Sequence, residues 1–414
     1  MRKDLILFVL LFCFVFAFYI GGISISFLVS IPLYIFSLLS RKYRNALLFV
    51  FRCKYITSIV TVWGVVVFLS IIFPIVYSTW DFSLFRVVVV QIFHLFAAFP
   101  LLAYLRYKAY TYEQIEQTFV WIFVVQTIIQ CIVMMSPTLT EVMYSFNKFD
   151  PEAVEGPGSN IRGKALSAAT TYHLSLVYGI AFIIYLKRFL ALKVSLKNIL
   201  IGILVFVGIF FAGRTGFVGV IIGGLGYVLY FRVKWTDKIR LFFYALVGCG
   251  MFIILIYLLF PVFYEALENY ILPYAFEFLY SLDTSGQMET ASTNHLLEMW
   301  QRDFNYMEFF FGSGKYSNST GGYYMSVDPG ILRHTLFMGI LGYVVLIVYQ
   351  FVLLPIHKLH GQTRFYYTLI MLYLCVMDLK GCTLGTNKFV FAVSILLIFS
   401  YTYLPKEDKI PLYE

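Results

Sequence analysis

The sequence predicts an all-α polytopic membrane protein with about twelve transmembrane helices. Its composition is 61% hydrophobic and only 13% charged, with a mean hydropathy of +0.82, whereas soluble domains are about one quarter charged. Apolar runs long enough to cross a bilayer recur from one end of the chain to the other. We therefore expect a single integral membrane domain over residues 1–414 and no separate soluble domain.

The apolar runs define the candidate spans. They cover residues 5–20, 24–39, 55–77, 84–105, 118–136, 168–186, 198–212, 216–231, 241–262, 331–353, 365–378 and 389–404. Gly21 and Gly22 separate the first two runs, where they suit a tight turn. The first run follows Met1-Arg2-Lys3, and this basic start before an apolar stretch is also typical of a signal peptide. Because no small-residue cleavage site follows it, we interpret it as a retained helix.

The basic residues predict the orientation of the helices. With the N-terminus inside, roughly two thirds of the 31 Lys and Arg fall in inside segments such as 41–54 and 187–197. Most of the 22 acidic residues fall outside. Both termini are therefore expected in the cytoplasm, and the net charge of +9 is a topology signal. Because the positive residues are dispersed over several short loops, the charge does not indicate nucleic-acid binding.

The remaining composition predicts neither a metal site nor a cofactor. The six cysteines are scattered and form no Cys-x-x-Cys pair, which is also evidence against a disulfide framework. Gly314-Lys315 is not a P-loop, because the glycine spacing and the following Ser or Thr are missing.

Two long outside loops, 137–167 and 261–330, are the largest polar parts of the chain. Long loops in compact proteins are usually functional or disordered. The second contains helix-compatible stretches at 270–282 and 294–311, which favour folded helices near the outer membrane surface. Function is therefore expected on the outer face.

Arg214 is the first candidate binding residue. It is the only charged residue between Asn198 and Phe231, and it falls at the turn between two short apolar runs. No carboxylate is near it in the sequence. A permanent cation at membrane depth needs an anion, a carbonyl or water, and such residues are functional candidates.

Other basic residues also lie near the outer helix ends. Arg162 and Arg333 each precede an apolar run, and the planar guanidinium matches phosphate oxygens. A snorkelling anchor at the interface is an equally good interpretation of both residues. For Arg86, Arg302 and Lys315 we favour the anchor.

Asp328 and His334 are the candidate proton acceptors. Pro329 suits the start of a helix, which makes Asp328 either its N-cap or a functional carboxylate. His334, on the first turns of the same helix, is either a packed polar residue or a group that orients or deprotonates a hydroxyl.

These features together resemble the O-antigen polymerase/ligase family of bacterial envelope enzymes, in particular its Wzy-like polymerase branch. Residues 213–217, Gly-Arg-Thr-Gly-Phe, are similar to the family's small-Arg-Thr-Gly segment between two short spans. The late outside loop ends with Gly-Ser-Gly at 312–314 and continues through 328–342 in the family's order. Residues 162–167, Arg-Gly-Lys-Ala-Leu-Ser, are similar to the Arg-containing approach to the sixth span, although the family more usually has Gly-Leu-Ser there.

The resemblance implies a GT-C-like, metal-independent glycosyltransferase that polymerises undecaprenyl-pyrophosphate-linked oligosaccharides into O-antigen, capsular or exopolysaccharide. It also implies the bacterial inner membrane, contact with membrane lipids, and work beside a chain-length regulator and a flippase. In that chemistry Arg214, then Arg333 and Arg162, stabilise the pyrophosphate leaving group. His334, then Asp328, orient the acceptor hydroxyl or remove its proton.

Other functions stay open at this stage. The same family contains ligases that transfer glycan to lipid A core or to a protein. A lipid-linked oligosaccharide flippase or another transporter is a different class, although no internal repeat is obvious in the sequence. A non-catalytic membrane component of an envelope complex is the third alternative.

Overall fold

In the computed structural model of the chain, the described residues are 2–147, 164–169, 171–190, 194–230, 234–259, 264–265, 268–269, 272–275, 277, 281, 290–318 and 321–406. They are mostly helical. The helices are α1 (Arg2–Phe16), α2 (Ile25–Leu39), α3 (Arg41–Arg52), α4 (Lys54–Val76), α5 (Ser83–Tyr107), α6 (Tyr112–Met134), α7 (Pro137–Asn147), α8 (Thr171–Tyr185), α9 (Leu196–Ala212), α10 (Gly216–Leu229), α11 (Trp235–Leu259), α12 (Leu272–Ala275), α13 (Ala291–Trp300), α14 (Tyr306–Phe311), α15 (Gly330–Leu353), α16 (Gly361–Asp378) and α17 (Lys388–Tyr403).

A helix lies in each candidate span predicted from the sequence. By length and composition, five helical segments of the described chain are long and apolar enough to cross a membrane. They are Lys54–Val76, Ser83–Tyr107, Tyr112–Met134, Thr171–Leu190 and Gly330–Lys358. The pair α2 and α3, bent by 119°, would supply a sixth span. The apolar helices Asp4–Phe16, Leu196–Ala212, Gly216–Leu229 and Lys388–Tyr403 have 10–17 residues. At about 1.5 Å per residue, they are shorter than a hydrocarbon core of about 30 Å. The total of twelve therefore stays a prediction.

Helix α4 shows why these helices indicate a membrane protein. Its mean hydropathy is 2.7, yet only 22% of its most apolar window is buried inside the protein. Val60, Val65 and Phe68 are exposed large apolar side chains on it. In contrast, α17 is buried along almost its whole length. An exposed helix that is apolar on all sides needs an apolar solvent, which the bilayer provides.

Two short elements near the N-terminus differ from a simple span-loop-span order. Residues Tyr19–Ile20 (β1) and Ile23–Ser24 (β2) form an antiparallel hairpin. Its turn is Gly21-Gly22, with φ of 56° and 84°, so the predicted tight turn is confirmed. The segment 41–54, expected as an inside loop, contains helix α3, which buries one face of apolar side chains. Because the segment is rich in Lys and Arg, it was expected to be a loop, whereas its apolar residues form one face of an amphipathic helix.

The two predicted outside loops are only partly described. Helix α7 forms the start of the first, and residues 148–163 lie outside the described residues. In the second, the expected helix at 294–311 is two helices, α13 and α14, with a break between them.

Close contact between glycines fixes the interior of the bundle. A side chain on Gly219 of α10 would lie 2.7 Å from the Cα atom of Gly179 in α8. Small residues allow two helix backbones to approach in this way. Helix α10 is thereby held against α8, the most buried of the five long apolar segments.

Connections between helices meet at two ends of the bundle. The end formed by segments 77–82, 213–215, 312–329 and 379–387 is called the Arg333 end below. The Thr79 hydroxyl donates to the Gly314 carbonyl there at 2.6 Å. At the opposite end, called the Lys187 end, the Tyr112 amide donates to the Pro405 carbonyl at 2.9 Å.

Candidate functional site

Arg333 lies on the first turn of α15 and is covered by aromatic rings. Its guanidinium carbon lies 3.5 Å from the ring centroid of Tyr323 and 4.2 Å from that of Tyr316. Rings attract a cation over their faces. In the part of the chain that the structure describes, Arg333 makes no ion pair, and its Nε is buried without a hydrogen-bond partner.

The groups in direct contact with Arg333 are neutral. Its Nη1 donates to Sγ of Cys382 at 3.5 Å. Burial raises the pKa of the Cys382 thiol, with Arg333 opposing this shift, so the sulfur is a neutral, weak acceptor. Burial likewise raises the pKa of Tyr316 well above its usual range. Arg333 is therefore a half-buried cation whose Nε has no hydrogen-bond partner and whose direct contacts are neutral, which are properties expected of an anion site.

His334 is sealed inside the protein beside this cation. Its side chain is 0% exposed, and neither ring nitrogen has a hydrogen-bond partner. The ring stacks on that of Tyr343, at a centroid distance of 6.5 Å, and is tilted against that of Tyr316, at 6.0 Å. Unpaired buried polar atoms are costly and need an explanation. Direct contact with a substrate hydroxyl requires the tyrosines to move.

Asp328 precedes α15 and is exposed to solvent. The capping interpretation is wrong, because the N-cap residue is Pro329 and no side chain caps this helix. Burial of part of the carboxyl raises the pKa of Asp328, while the charges of Arg333, His295 and Lys380 oppose the shift. The carboxylate is thus close enough to Arg333 to feel its charge and is reachable from outside.

Asp378, which the sequence did not single out, organises the loop next to Arg333. Only 1% of the residue is exposed. It accepts hydrogen bonds from the Tyr343 hydroxyl at 2.8 Å and from the amides of Thr383 and Leu384 at 2.8 Å and 3.0 Å. These bonds fold the segment 379–387, which carries Cys382, back over the end of α16.

Gly330 completes the packing around Asp378. A side chain on Gly330 would lie 2.3 Å from Asp378 Oδ1. The start of α15 is therefore pressed against the carboxylate, and this contact fixes where Arg333 leaves the helix. This contact could not be predicted from the sequence, because the two residues are far apart in the chain.

Arg214 occupies the predicted turn between α9 and α10. Ser175 of α8 fastens the turn, since its hydroxyl donates to the Gly213 carbonyl and accepts from the Gly216 amide. Arg214 itself forms an ion pair with Glu277 of the segment 261–330. The carboxylate that was missing near Arg214 in the sequence is thus supplied from a distant loop.

The structure does not bring all predicted site residues together. Arg333, His334 and Asp328 lie in one neighbourhood. No hydrogen bond, ion pair or ring contact between described residues joins Arg214 to Arg333. Arg162 lies outside the described residues. Within the described chain, no group of three or more His, Cys, Asp and Glu side chains is placed to hold a metal ion.

The fold and its apolar helices define the class of this chain as a helical membrane protein. No family model, curated protein or solved structure matches the chain.

Proposed function

We propose that the chain is a metal-independent glycosyltransferase that polymerises undecaprenyl-pyrophosphate-linked oligosaccharide repeat units into O-antigen, capsular or exopolysaccharide. In this proposal the Arg333 end faces outward across the bacterial inner membrane, the fold is GT-C-like, and about twelve helices cross the bilayer. The observation that supports the proposal is the Arg333 cation, which is covered by two rings, makes no ion pair with a described residue and lies near the exposed Asp328 carboxylate.

The proposed step is the displacement of a lipid pyrophosphate. The bond between the anomeric carbon of the growing glycan and the pyrophosphate oxygen breaks, and the electron pair stays on the pyrophosphate. The acceptor hydroxyl oxygen bonds to that carbon, and its proton passes to a base. The donor edge of Arg333 suits the developing negative charge, because a guanidinium donates to two phosphate oxygens at once.

The geometry supports different roles for the two proton-acceptor candidates. Asp328 is exposed and near Arg333, so we assign it the role of the base that accepts the proton of the acceptor hydroxyl. His334 is fully buried between Tyr316 and Tyr343, so we assign it to positioning those rings. This order reverses the one that the resemblance suggested.

Arg214 and Arg162 keep the pyrophosphate role that the resemblance implies. For Arg214, binding means exchanging the carboxylate of Glu277 for a pyrophosphate oxygen. Since Glu277 belongs to the segment 261–330, that exchange would couple substrate entry to movement of the loop.

A reconstituted reaction tests the proposal. The purified protein in lipid nanodiscs receives only lipid-linked repeat units, and the products are resolved by size. A ladder of longer chains is expected. Transfer of glycan only when lipid A core is added would replace the polymerase with the ligase. Movement of lipid-linked oligosaccharide across sealed vesicles without transfer would replace it with a flippase.

A further inference from the structure

Two open cavities lie side by side at the Arg333 end, and they share Tyr77, Thr79 and Lys315 in their walls. Their volumes are about 610 Å³ and about 440 Å³. The larger also has Trp80 and Arg86 in its wall. Together they form one continuous depression between segments 77–86 and 307–318, called the Lys315 groove below.

The floor of the Lys315 groove is rigid. The Asp81 carboxylate accepts hydrogen bonds from the amides of Tyr316 and Ser317, both at 2.6 Å, and from the Ser83 amide at 3.0 Å. The Tyr77 hydroxyl donates to the Phe311 carbonyl at 3.0 Å. Two segments that are more than two hundred residues apart in the sequence are thereby joined into one surface.

The larger cavity of the groove has two basic side chains and one carboxylate, that of Asp81. The wall of the smaller cavity contains Glu308, which accepts a hydrogen bond from the Tyr324 hydroxyl at 3.0 Å. Burial acts to raise the pKa of Asp81, but hydrogen bonds from Ser83, Ser317 and Tyr316 outweigh burial, so the pKa is lowered. The Asp81 carboxylate therefore stays ionised, and its oxygens accept hydrogen bonds from the amides of the floor.

Arg86 and Lys315 are exposed, and neither forms an ion pair with another described residue. Lys315 Nζ lies 5.4 Å from the ring centroid of Tyr324, a contact that leaves its charge uncompensated. Two cations in the larger cavity, neither of them in an ion pair with a described residue, favour an anionic ligand there.

An aromatic face accompanies these cations. Trp80 is 66% exposed and has a φ of 55°, and Ser78 nearby has a φ of 53°. Left-handed backbone is unusual for bulky residues, and such conformations concentrate at ligand sites. The segment 77–82 thus holds an indole face in the open beside Arg86, which suits the flat C–H face of a sugar ring.

The groove is connected to the Arg333 site through Tyr316. The Tyr316 amide donates to Asp81 in the groove floor, while its ring covers Arg333. A ligand in the groove would therefore lie next to the proposed reacting groups.

We infer that the Lys315 groove binds an acidic glycan, with a sugar ring on Trp80 and its carboxylate or phosphate groups on Arg86 and Lys315. The inference rests on the proposed function, because a polymerase must hold the sugar chain beside its reacting end. It adds that the glycan is acidic and names the surface along which it lies.

Binding to soluble glycans tests the inference without any transfer reaction. The protein is placed in phosphatidylcholine nanodiscs, which carry no net charge, and titrated calorimetrically with hexagalacturonic acid and with neutral maltohexaose. We expect saturable binding of the acidic probe and at least about tenfold weaker binding of the neutral one. Equal binding of both probes, or no binding of the acidic probe, would overturn the inference.

Variants locate the binding. The double variant Arg86→Gln/Lys315→Gln and the variant Trp80→Ala should each weaken binding of hexagalacturonic acid by about tenfold. The conservative pair Arg86→Lys/Lys315→Arg should retain it. A matched pair at the Lys187 end, Lys358→Gln/Arg364→Gln, should bind like the wild type. Unchanged binding in the first two variants would place the glycan elsewhere.

Failure of this inference is separable from failure of the proposed function. A ladder of polymer without binding of hexagalacturonic acid would remove the groove inference and leave the polymerase. Binding that depends on Arg86 and Lys315, without any polymer, would remove the polymerase and leave an acidic-glycan site.

Discussion

The guanidinium of Arg333 lies face to face with the ring of Tyr323, with its central carbon 3.5 Å from the ring centroid. The ring is 47% exposed, so it covers the cation from the solvent side. A cation in this position is screened less than one in open water, and an anion that reaches its edge gains correspondingly more. The relationship makes Arg333 the residue on which the proposed chemistry depends most.

Replacing Arg333 with lysine should slow polymerisation by about 10²–10³-fold, because lysine keeps the charge but loses the two-pronged donor edge. The initial rate of ladder formation by the purified variant measures the effect. Arg364→Lys is the control, since Arg364 is an exposed residue on α16 and the same chemical change is made there. A rate for Arg333→Lys within about twofold of the control would contradict the pyrophosphate role.

Protonation of Asp328 should make the polymerisation rate fall at low pH, which gives the pH profile an acid limb. Its pKa is raised above the ordinary value of 3.8, mainly by burial, so the carboxyl becomes protonated as the pH falls through the raised pKa. A protonated carboxyl cannot accept the proton of the acceptor hydroxyl. The wild-type rate should therefore fall with decreasing pH, and Asp328→Asn should be slow at all pH values without this limb. An unchanged profile in the variant would exclude the role.

The raised pKa of Asp328 also makes the stability of the folded protein depend on pH. A carboxyl whose folded pKa is raised contributes stability at low pH that is lost as the pH rises through the folded pKa. Thermal unfolding should therefore show Asp328→Asn gaining stability relative to the wild type as the pH increases. A gain in stability together with a loss of rate would separate a functional carboxylate from a structural one.

Gly330→Ala should destabilise the Arg333 end. Its new Cβ would lie 2.3 Å from Asp378 Oδ1, so either the start of α15 or the Asp378 loop must shift, at a cost of about 1–3 kcal/mol. Gly224→Ala is the matched control, because nothing lies within 4 Å of its added Cβ. Thermal unfolding in detergent compares the two. Equal midpoints would show that the loop adapts freely.

The sequence predicted the helices better than the contacts between them. The run 55–77 was recognised because an apolar stretch of that length has few alternatives, and the structure has Lys54–Val76. Helix α3 was missed because its basic residues were counted as loop. A charge count gives the side of a segment, whereas its secondary structure follows from the periodicity of the apolar residues.

The site residues show a different limit. Arg333 and Arg214 were both recognised as isolated cations, yet among the described residues Arg214 forms an ion pair, with Glu277, and Arg333 does not. Asp378 gave no local signal, because its partners are a tyrosine of another helix, α15, and backbone amides of a loop. Single-sequence patterns identify a chemically unusual residue, but partners that are distant in the chain decide what it does.

The Lys187 end contains a buried ion pair whose two halves should respond unequally to mutation. Lys187 Nζ lies 2.6 Å from Glu116 Oε1, and their side chains are 4% and 0% exposed. Removing one partner of such a pair commonly costs about 3–5 kcal/mol, because the other charge stays buried. The π-helical turn at Leu186–Leu190 places Lys187 next to Arg188, which also faces Glu116 at 3.7 Å.

Loss of Lys187 leaves Glu116 with Arg188 and with the hydroxyls of Tyr112 and Tyr367 as donors. Loss of Glu116 leaves the Lys187 ammonium without a carboxylate among its described contacts, which are then the Tyr112 hydroxyl and the rings of Tyr112 and Tyr367. Glu116→Leu should therefore lower the unfolding midpoint more than Lys187→Met, and the double variant should recover much of the loss. A double-mutant cycle by thermal unfolding measures all three, and equal effects of the single variants would refute the asymmetry.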